Sequence, residues 1–130
     1  MSKRGVSILA TVVVLLVGAA AETGQSSPAG RITLIRLAAS PANYTGNCPA
    51  TIHFNGFIRA DGPLSGGGSF WRSDGSHGEF TPYKLIRAGQ VGIHDTWRLG
   101  RPGENFNGWV QFGTGNTRSN RAEFHLHCRR

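Results

Sequence analysis

The stretch ATIHFNGFIRA, residues Ala50–Ala60, decides the fold class of this chain. Within it Ile52, Phe54, Gly56 and Ile58 share one side of an alternating pattern, and His53, Asn55, Phe57 and Arg59 share the other. A period of two residues is typical of a β-strand that turns one face to a core and the other to solvent. The stretch therefore predicts a long, half-buried strand.

Similar short apolar segments lie on both sides of this strand. We predict six more strands, at Arg31–Ala38, Gly68–Ser73, Phe80–Arg87, Val91–Leu99, Gly108–Gly113 and Asn120–Cys128. Turn-forming sequences separate the segments at 60–63, 66–68, 73–75 and 101–103. About seven strands at roughly 10-residue spacing predict an all-β antiparallel sandwich or small barrel, and the clean alternation favours the sandwich.

The alternation also assigns the faces of the other strands. In the last strand Phe124 and Leu126 fall on the core side, so His125 and His127 fall on the outer side. In the strand Val91–Leu99 the core side includes Asp95, a charged residue in an otherwise apolar row. Trp97 and Phe70 are expected in the core on the same reasoning.

The N-terminal residues differ in composition from the rest of the chain. Lys3 and Arg4 precede an apolar run, Val6–Val17, and then Gly-Ala-Ala-Ala at 18–21. This order is typical of a secretory signal peptide cleaved before Glu22. We expect a signal peptide at 1–21, a flexible leader at 22–30 and one domain at 31–130, with no membrane span after cleavage. An uncleaved anchor is the alternative, although the run is short for a span of about 20 residues.

Cys48 and Cys128 are the two cysteines of the chain. In an exported domain such a pair predicts one disulfide, which would close a loop across most of the predicted strands. Metal ligation by two isolated cysteines is the alternative. Both the signal peptide and the disulfide predict a secreted or periplasmic protein.

The basic residues outnumber the acidic ones, with 14 Lys and Arg against 7 Asp and Glu and a formal charge of +7. The arginines are spread along the chain, whereas nucleic-acid binders usually concentrate their charge on one patch. We therefore expect no nucleic-acid partner. The charge serves solubility or attracts anionic polymers of the envelope.

Several short motifs follow one another in a fixed order. They are Tyr44-x-Gly46-x-Cys48-Pro49, Thr51-x-x-Phe54-x-Gly56-x-Ile58, Arg72-Ser73-Asp74-Gly75, Trp97-x-Leu99-Gly100, Gly108-Trp109-Val110 and Ser119-Asn120-x-Ala122-x-Phe124. Their order, across about residues 33–128, resembles the small immunoglobulin-like domains of secreted bacterial proteins that share Y-x-G-x-C-P and R-S-D-G signatures. The resemblance implies an immunoglobulin-like sandwich with a cystine and an exported location. It implies no established activity, so no catalytic residue is carried over.

Two features depart from that family pattern. The segment 113–118 lacks the proline expected between the last two strands, and His125 and His127 stand where Thr or Val is common. Any role of these histidines would be particular to this chain.

Catalytic motifs are missing from the sequence. It contains no G-x-S-x-G elbow and no glycine-rich phosphate loop, and it has few carboxylates, so we predict neither an enzyme nor a bound cofactor. His125-x-His127 has a spacing found in metal sites, but a third ligand would have to come from His53, His94 or Glu123. A metal site is therefore only a weak alternative.

Four side chains form a candidate binding face. If the strands around 71, 109 and 126 share one sheet, then Trp71, Trp109, His125 and His127 lie together on its outer side. This arrangement predicts a non-catalytic binding or adhesion module whose partner is an envelope polymer, a glycan or a protein. The alternatives are a structural domain that associates with itself, a metal-binding protein, or a face that the leader, a loop or a dimer partner covers.

Overall fold

The computed structural model describes residues 28–130, which form nine β-strands. They are β1 (Ile32–Ser40), β2 (Asn43–Gly46), β3 (Ala50–Ala60), β4 (Leu64–Arg72), β5 (Thr81–Leu85), β6 (Gly89–Leu99), β7 (Asn105–Thr114), β8 (Thr117–Arg118) and β9 (Ala122–Cys128). No helix occurs in this range, and so none that could cross a membrane. The expected signal peptide and most of the leader lie outside the described residues.

The strands form two sheets. The smaller has the order β1-β3-β6, and the larger has the order β2-β9-β7-β4-β5, with β8 paired to β7. β2 runs parallel to β9, and the other pairs are antiparallel. β4 pairs with β5 along its first half and with β7 along its second half, and the larger sheet curls into a half-barrel. The all-β class is confirmed.

The core lies between the inner faces of the two sheets. Phe54, Phe70 and Phe112 are fully buried. Trp97 and Phe124 meet edge to face, with 5.7 Å between ring centroids, a geometry that aromatic pairs prefer. The alternation expected for β3, β6 and β9 is confirmed, because their core-side residues are buried or half-buried and most of the intervening ones are exposed.

Asp95 has a partner inside the molecule. Arg72 from the larger sheet approaches its carboxylate, with 3.5 Å between Nη2 and Oδ2, and both side chains are 17% exposed. The same guanidinium lies 5.2 Å from the ring centroid of Trp97 and donates to the carbonyl of Thr96. A nearly buried carboxylate is tolerable here because an arginine from the opposite sheet neutralises it.

Cys48 and Cys128 form the predicted disulfide, with 5.5 Å between their Cα atoms. Cys128 is the last residue of β9 and pairs with Gly46 of β2, whereas Cys48 lies in the loop from β2 to β3. The disulfide therefore fastens the last residue of β9 to the loop through which the chain passes from the larger sheet to the smaller one.

The structure corrects three expectations. β2 and β8 were not predicted, and β5 is shorter than expected, leaving Phe80 and Ile86 outside it. Gly66–Gly68 was expected to be a turn but lies inside β4. The physical reason is crowding by aromatic rings: a Cβ on Gly66 would lie 2.8 Å from the Tyr83 hydroxyl, and one on Gly67 would lie 2.0 Å from Cζ of Phe80. These glycines make room for rings instead of turning the chain.

Residues of the sequence motifs form hydrogen bonds that join separate parts of the fold. The hydroxyl of Tyr44 donates to the carbonyl of Asn47 at 2.7 Å, which closes the turn before Cys48. The side chain of Asn120 bonds both backbone groups of Leu37 at 2.9 Å, so it joins the chain before β9 to β1 of the other sheet. These hydrogen bonds stabilise the architecture.

Candidate binding face on the larger sheet

The four candidate residues lie on three neighbouring strands of the larger sheet. Trp71 comes from β4, Trp109 from β7, and His125 and His127 come from β9. All four point away from the core, since the residues that alternate with them are mostly buried. Together they form one outer face.

Each tryptophan of this face is partly covered by a neighbour. The guanidinium carbon of Arg121 lies 4.1 Å from the ring centroid of Trp109, a cation–π contact that leaves the indole half-buried. The ring of Trp71 meets that of His77 with 5.2 Å between centroids, yet Trp71 remains 44% exposed. Trp71 therefore offers more free aromatic surface than Trp109.

Asparagines on the neighbouring strand orient both histidines. Nδ1 of His125 bonds Oδ1 of Asn107, and Nδ1 of His127 bonds Oδ1 of Asn105. The partners stand directly opposite each other in the register of β7 and β9, where side chains come closest. When Nδ1 donates its proton in such a bond, Nε2 remains as an acceptor toward solvent.

The arrangement lacks the third ligand that a metal site needs. Within residues 28–130 no three His, Cys, Asp or Glu side chains come close enough to hold an ion. His53 and His94, two of the possible third ligands, belong to β3 and β6 of the smaller sheet and stack on each other with 5.7 Å between centroids. The topology thus separates them from His125 and His127.

A groove of about 400 Å³ runs along this face beside Trp109. It is lined by Ala42, Asn43, Asn107, Gly108, Trp109, Glu123, Phe124 and His125. Asn43 belongs to β2. The sequence did not predict this strand, because its four residues are too few to show a pattern and form a strand only by pairing with β9. The groove combines an indole edge with amide, carboxylate and imidazole groups, so it can donate and accept hydrogen bonds beside an apolar surface.

Hydrogen bonds hold the described end of the leader against the loop between β3 and β4. The amide of Gly30 donates to the carbonyl of Pro63 at 2.6 Å, and the amide of Arg31 donates to Oδ1 of Asp61. Residues 30 and 31 therefore lie along the loop between β3 and β4. The rest of the leader is outside the described residues.

Comparisons with known proteins show no family for this chain. No protein-family profile matches it, and no curated protein matches it. Among solved structures it is similar to the Pseudomonas fluorescens alkylpurine DNA glycosylase AlkC bound to DNA containing an abasic site analog, with 17% identity and a TM-score of 0.47. The similarity covers 72% of this chain and 30% of that one, so this chain spans less than a third of that protein.

Proposed function

We propose that this chain is a non-catalytic binding or adhesion module, exported to the bacterial envelope or the extracellular space, whose contact surface is the outer face of the larger sheet. The observation that carries the proposal is the exposure of Trp71, 44%, on a face that also bears Trp109 and two oriented histidines. Trp97, by contrast, packs into the core and is only 8% exposed. Exposed aromatic surface beside a groove is typical of ligand and partner sites.

The architecture supports an exported module. The Cys48–Cys128 disulfide is consistent with an oxidising compartment outside the cytoplasm. Two packed sheets joined by a cystine, together with the order of the motifs, support an immunoglobulin-like sandwich. Domains of this kind present binding surfaces without chemistry of their own, and we assign no catalytic residue and no cofactor.

The polar groups beside Trp109 support a hydroxyl-rich or peptide-like partner. Asn107, Glu123 and His125 offer both donors and acceptors along the groove. Sugars and peptide backbones need such mixed partners, whereas a purely apolar ligand would leave these groups without a hydrogen bond. An envelope polymer, a glycan or a protein is the partner class that we propose.

Substitution of the two tryptophans on this face tests the proposal. We expect Trp71→Ala and Trp109→Ala each to weaken binding to a glycan array and to envelope fractions by about tenfold or more, as removal of a central interface aromatic does. Both variants should keep a melting temperature close to that of the wild type. Ile86→Ala is the control, because Ile86 is 75% exposed and lies after β5, away from this face.

Three other results would count against this function. Binding that survives both substitutions would place the contact surface elsewhere. Loss of folding in both would make the tryptophans structural. Absence of any ligand, together with self-association that Trp71→Ala abolishes in light-scattering measurements, would favour a structural, self-associating domain.

A further inference from the structure

A cleft of about 330 Å³ lies on the larger sheet between Trp71 and Phe80. Phe80 is 68% exposed and Trp71 is 44% exposed, although both are large apolar side chains. Ser69 lies on the same face of β4 as Trp71. Ser69 and Arg118 of β8 also line the cleft. Phe80 and Arg118 were not among the residues expected at the binding face, because only the sheet order brings them beside Trp71.

Glycines let the two rings reach these positions. Phe80 lies directly over Gly67, where a Cβ would come within 2.0 Å of its Cζ atom. Trp71 leans toward Gly113 of β7, where a Cβ would lie 3.5 Å from Cδ1 of the indole. The cleft therefore has two aromatic walls and a floor made largely of backbone, and its floor could accept a small side chain at Gly113 without a clash.

Arg118 supplies a free positive charge at this cleft. It is exposed, and it stands opposite Gly113 in the register of β7 and β8. Arg118 has no acidic partner in the described part of the chain, where the salt bridge found joins Arg72 to Asp95. An unpaired guanidinium beside two aromatic rings offers a planar fork that matches a carboxylate.

We propose that this cleft binds an acidic sugar residue of a polysaccharide, with the sugar ring between Trp71 and Phe80 and its carboxylate on Arg118. The inference rests on the proposed function and names its ligand class. The C–H face of a pyranose ring is apolar enough to pack on an aromatic ring, and the hydroxyl of Ser69 is available to the sugar hydroxyls. The formal net charge of +7, or +5 after loss of Lys3 and Arg4 with the expected signal peptide (14 − 2 = 12 basic against 7 acidic residues), favours an anionic polymer over a neutral one.

The test compares two probes that differ in charge and otherwise only by a methyl group on each carboxyl. They are a hexamer of galacturonic acid and the same hexamer with its carboxylates methyl-esterified, titrated into the protein by calorimetry at low salt. We expect the acidic hexamer to bind about tenfold tighter than the ester, since a charge-assisted bidentate pair is the stronger contact. Arg118→Gln should reduce the affinity for the acidic hexamer to that for the ester.

Two further variants test the cleft itself. Phe80→Ala removes one wall, and Gly113→Ala adds a methyl group to the floor at a position with ordinary van der Waals space for a Cβ. Phe80→Ala should weaken binding of the acidic hexamer by about tenfold or more, and Gly113→Ala should weaken it by a smaller factor, while both melting temperatures stay near that of the wild type. Ile86→Ala is the control for loss of an exposed apolar side chain and should leave binding unchanged.

The outcomes separate this inference from the proposed function. Equal affinity for both hexamers, or no effect of Arg118→Gln, would overturn the acidic ligand. Binding that depends on Trp109 but not on Phe80 or Gly113 would overturn the cleft and leave the proposed function standing. If neither hexamer binds while other glycans on the array do, the ligand class is wrong. Tighter binding of an oligothymidylate would also overturn it. If nothing binds in either experiment, both proposals fail.

Discussion

Gly100 is the residue against which the disulfide packs. It has a φ of +104°, a backbone conformation that residues with a Cβ rarely adopt. A Cβ at this position would lie 2.8 Å from Sγ of Cys128 and 3.0 Å from Sγ of Cys48. The backbone conformation and the lack of room for a Cβ therefore both require glycine at position 100, immediately after β6.

We predict that Gly100→Ala lowers the free energy of unfolding by about 2–4 kcal/mol, the sum of backbone strain and overpacking. Gly92→Ala is the matched control, because a Cβ on Gly92 would meet its nearest atom, the carbonyl oxygen of Gly56, at 3.8 Å. The control should change stability by less than about 1 kcal/mol. Urea unfolding of both variants measures the difference, and equal stabilities would contradict the prediction.

The turn after β4 shows how a motif shapes an element. Oδ1 of Asp74 accepts bonds from the amide of Ser76 at 2.9 Å and from its hydroxyl at 2.6 Å. Gly75 follows with a φ of 89°, and its amide donates to the carbonyl of Arg72. This turn ends β4 just after Trp71 and leads the chain to His77, which contacts the indole.

The two bonds from Ser76, the side-chain bond foremost, hold the pKa of Asp74 below its ordinary value of 3.8. A folded-state pKa below the unfolded one means that the bonds stabilise the fold fully above the unfolded pKa. The contribution is lost as the pH falls through the folded-state pKa. We predict that Ser76→Ala raises the Asp74 midpoint in a carboxyl NMR titration toward 3.8.

Ser65→Ala is the control for this titration, because Ser65 is exposed on the opposite end of β4. It should leave the Asp74 midpoint unchanged. A midpoint that does not move in Ser76→Ala would assign the lowered pKa to the causes that this variant keeps, first the amide bond of residue 76 and then the nearby charge of Arg72.

The local sequence pattern predicts a strand well where apolar and polar residues alternate within that strand. The bounds of β3 coincide with the prediction, and β6 and β9 begin within two residues of it. β2 and β8, by contrast, have four and two residues. They are strands only because β9 and β7 supply their hydrogen bonds, and a short segment carries no periodicity that reveals such a partner.

At the scale of the whole molecule, the disulfide joins residues 80 positions apart. The closed loop contains every strand from β3 to β9, so the cross-link restricts the part of the unfolded chain that forms seven of the nine strands. We predict that the double variant Cys48→Ser and Cys128→Ser loses about 4–5 kcal/mol of stability, by the loop-entropy relation.

The measurement is chemical unfolding of both proteins, with a thiol titration of the denatured wild type as a check. The titration should find no reactive thiol in protein isolated from an oxidising compartment. Two reactive thiols, or a double variant as stable as the wild type, would show that the cross-link does not hold the molecule together.

The sequence by itself determined which side of each long strand is buried, and it determined the pairing of two cysteines that have no other partner. Both follow from local rules, since alternation is a property of one strand and each cysteine had a single possible mate. Only the tertiary structure decided which strands are neighbours. Phe80, Asn107 and Arg118 lie on or next to the candidate binding face because the larger sheet contains β7 and β8 and has β5, which Phe80 precedes, beside β4. Sheet order depends on contacts between distant segments, which no local pattern encodes.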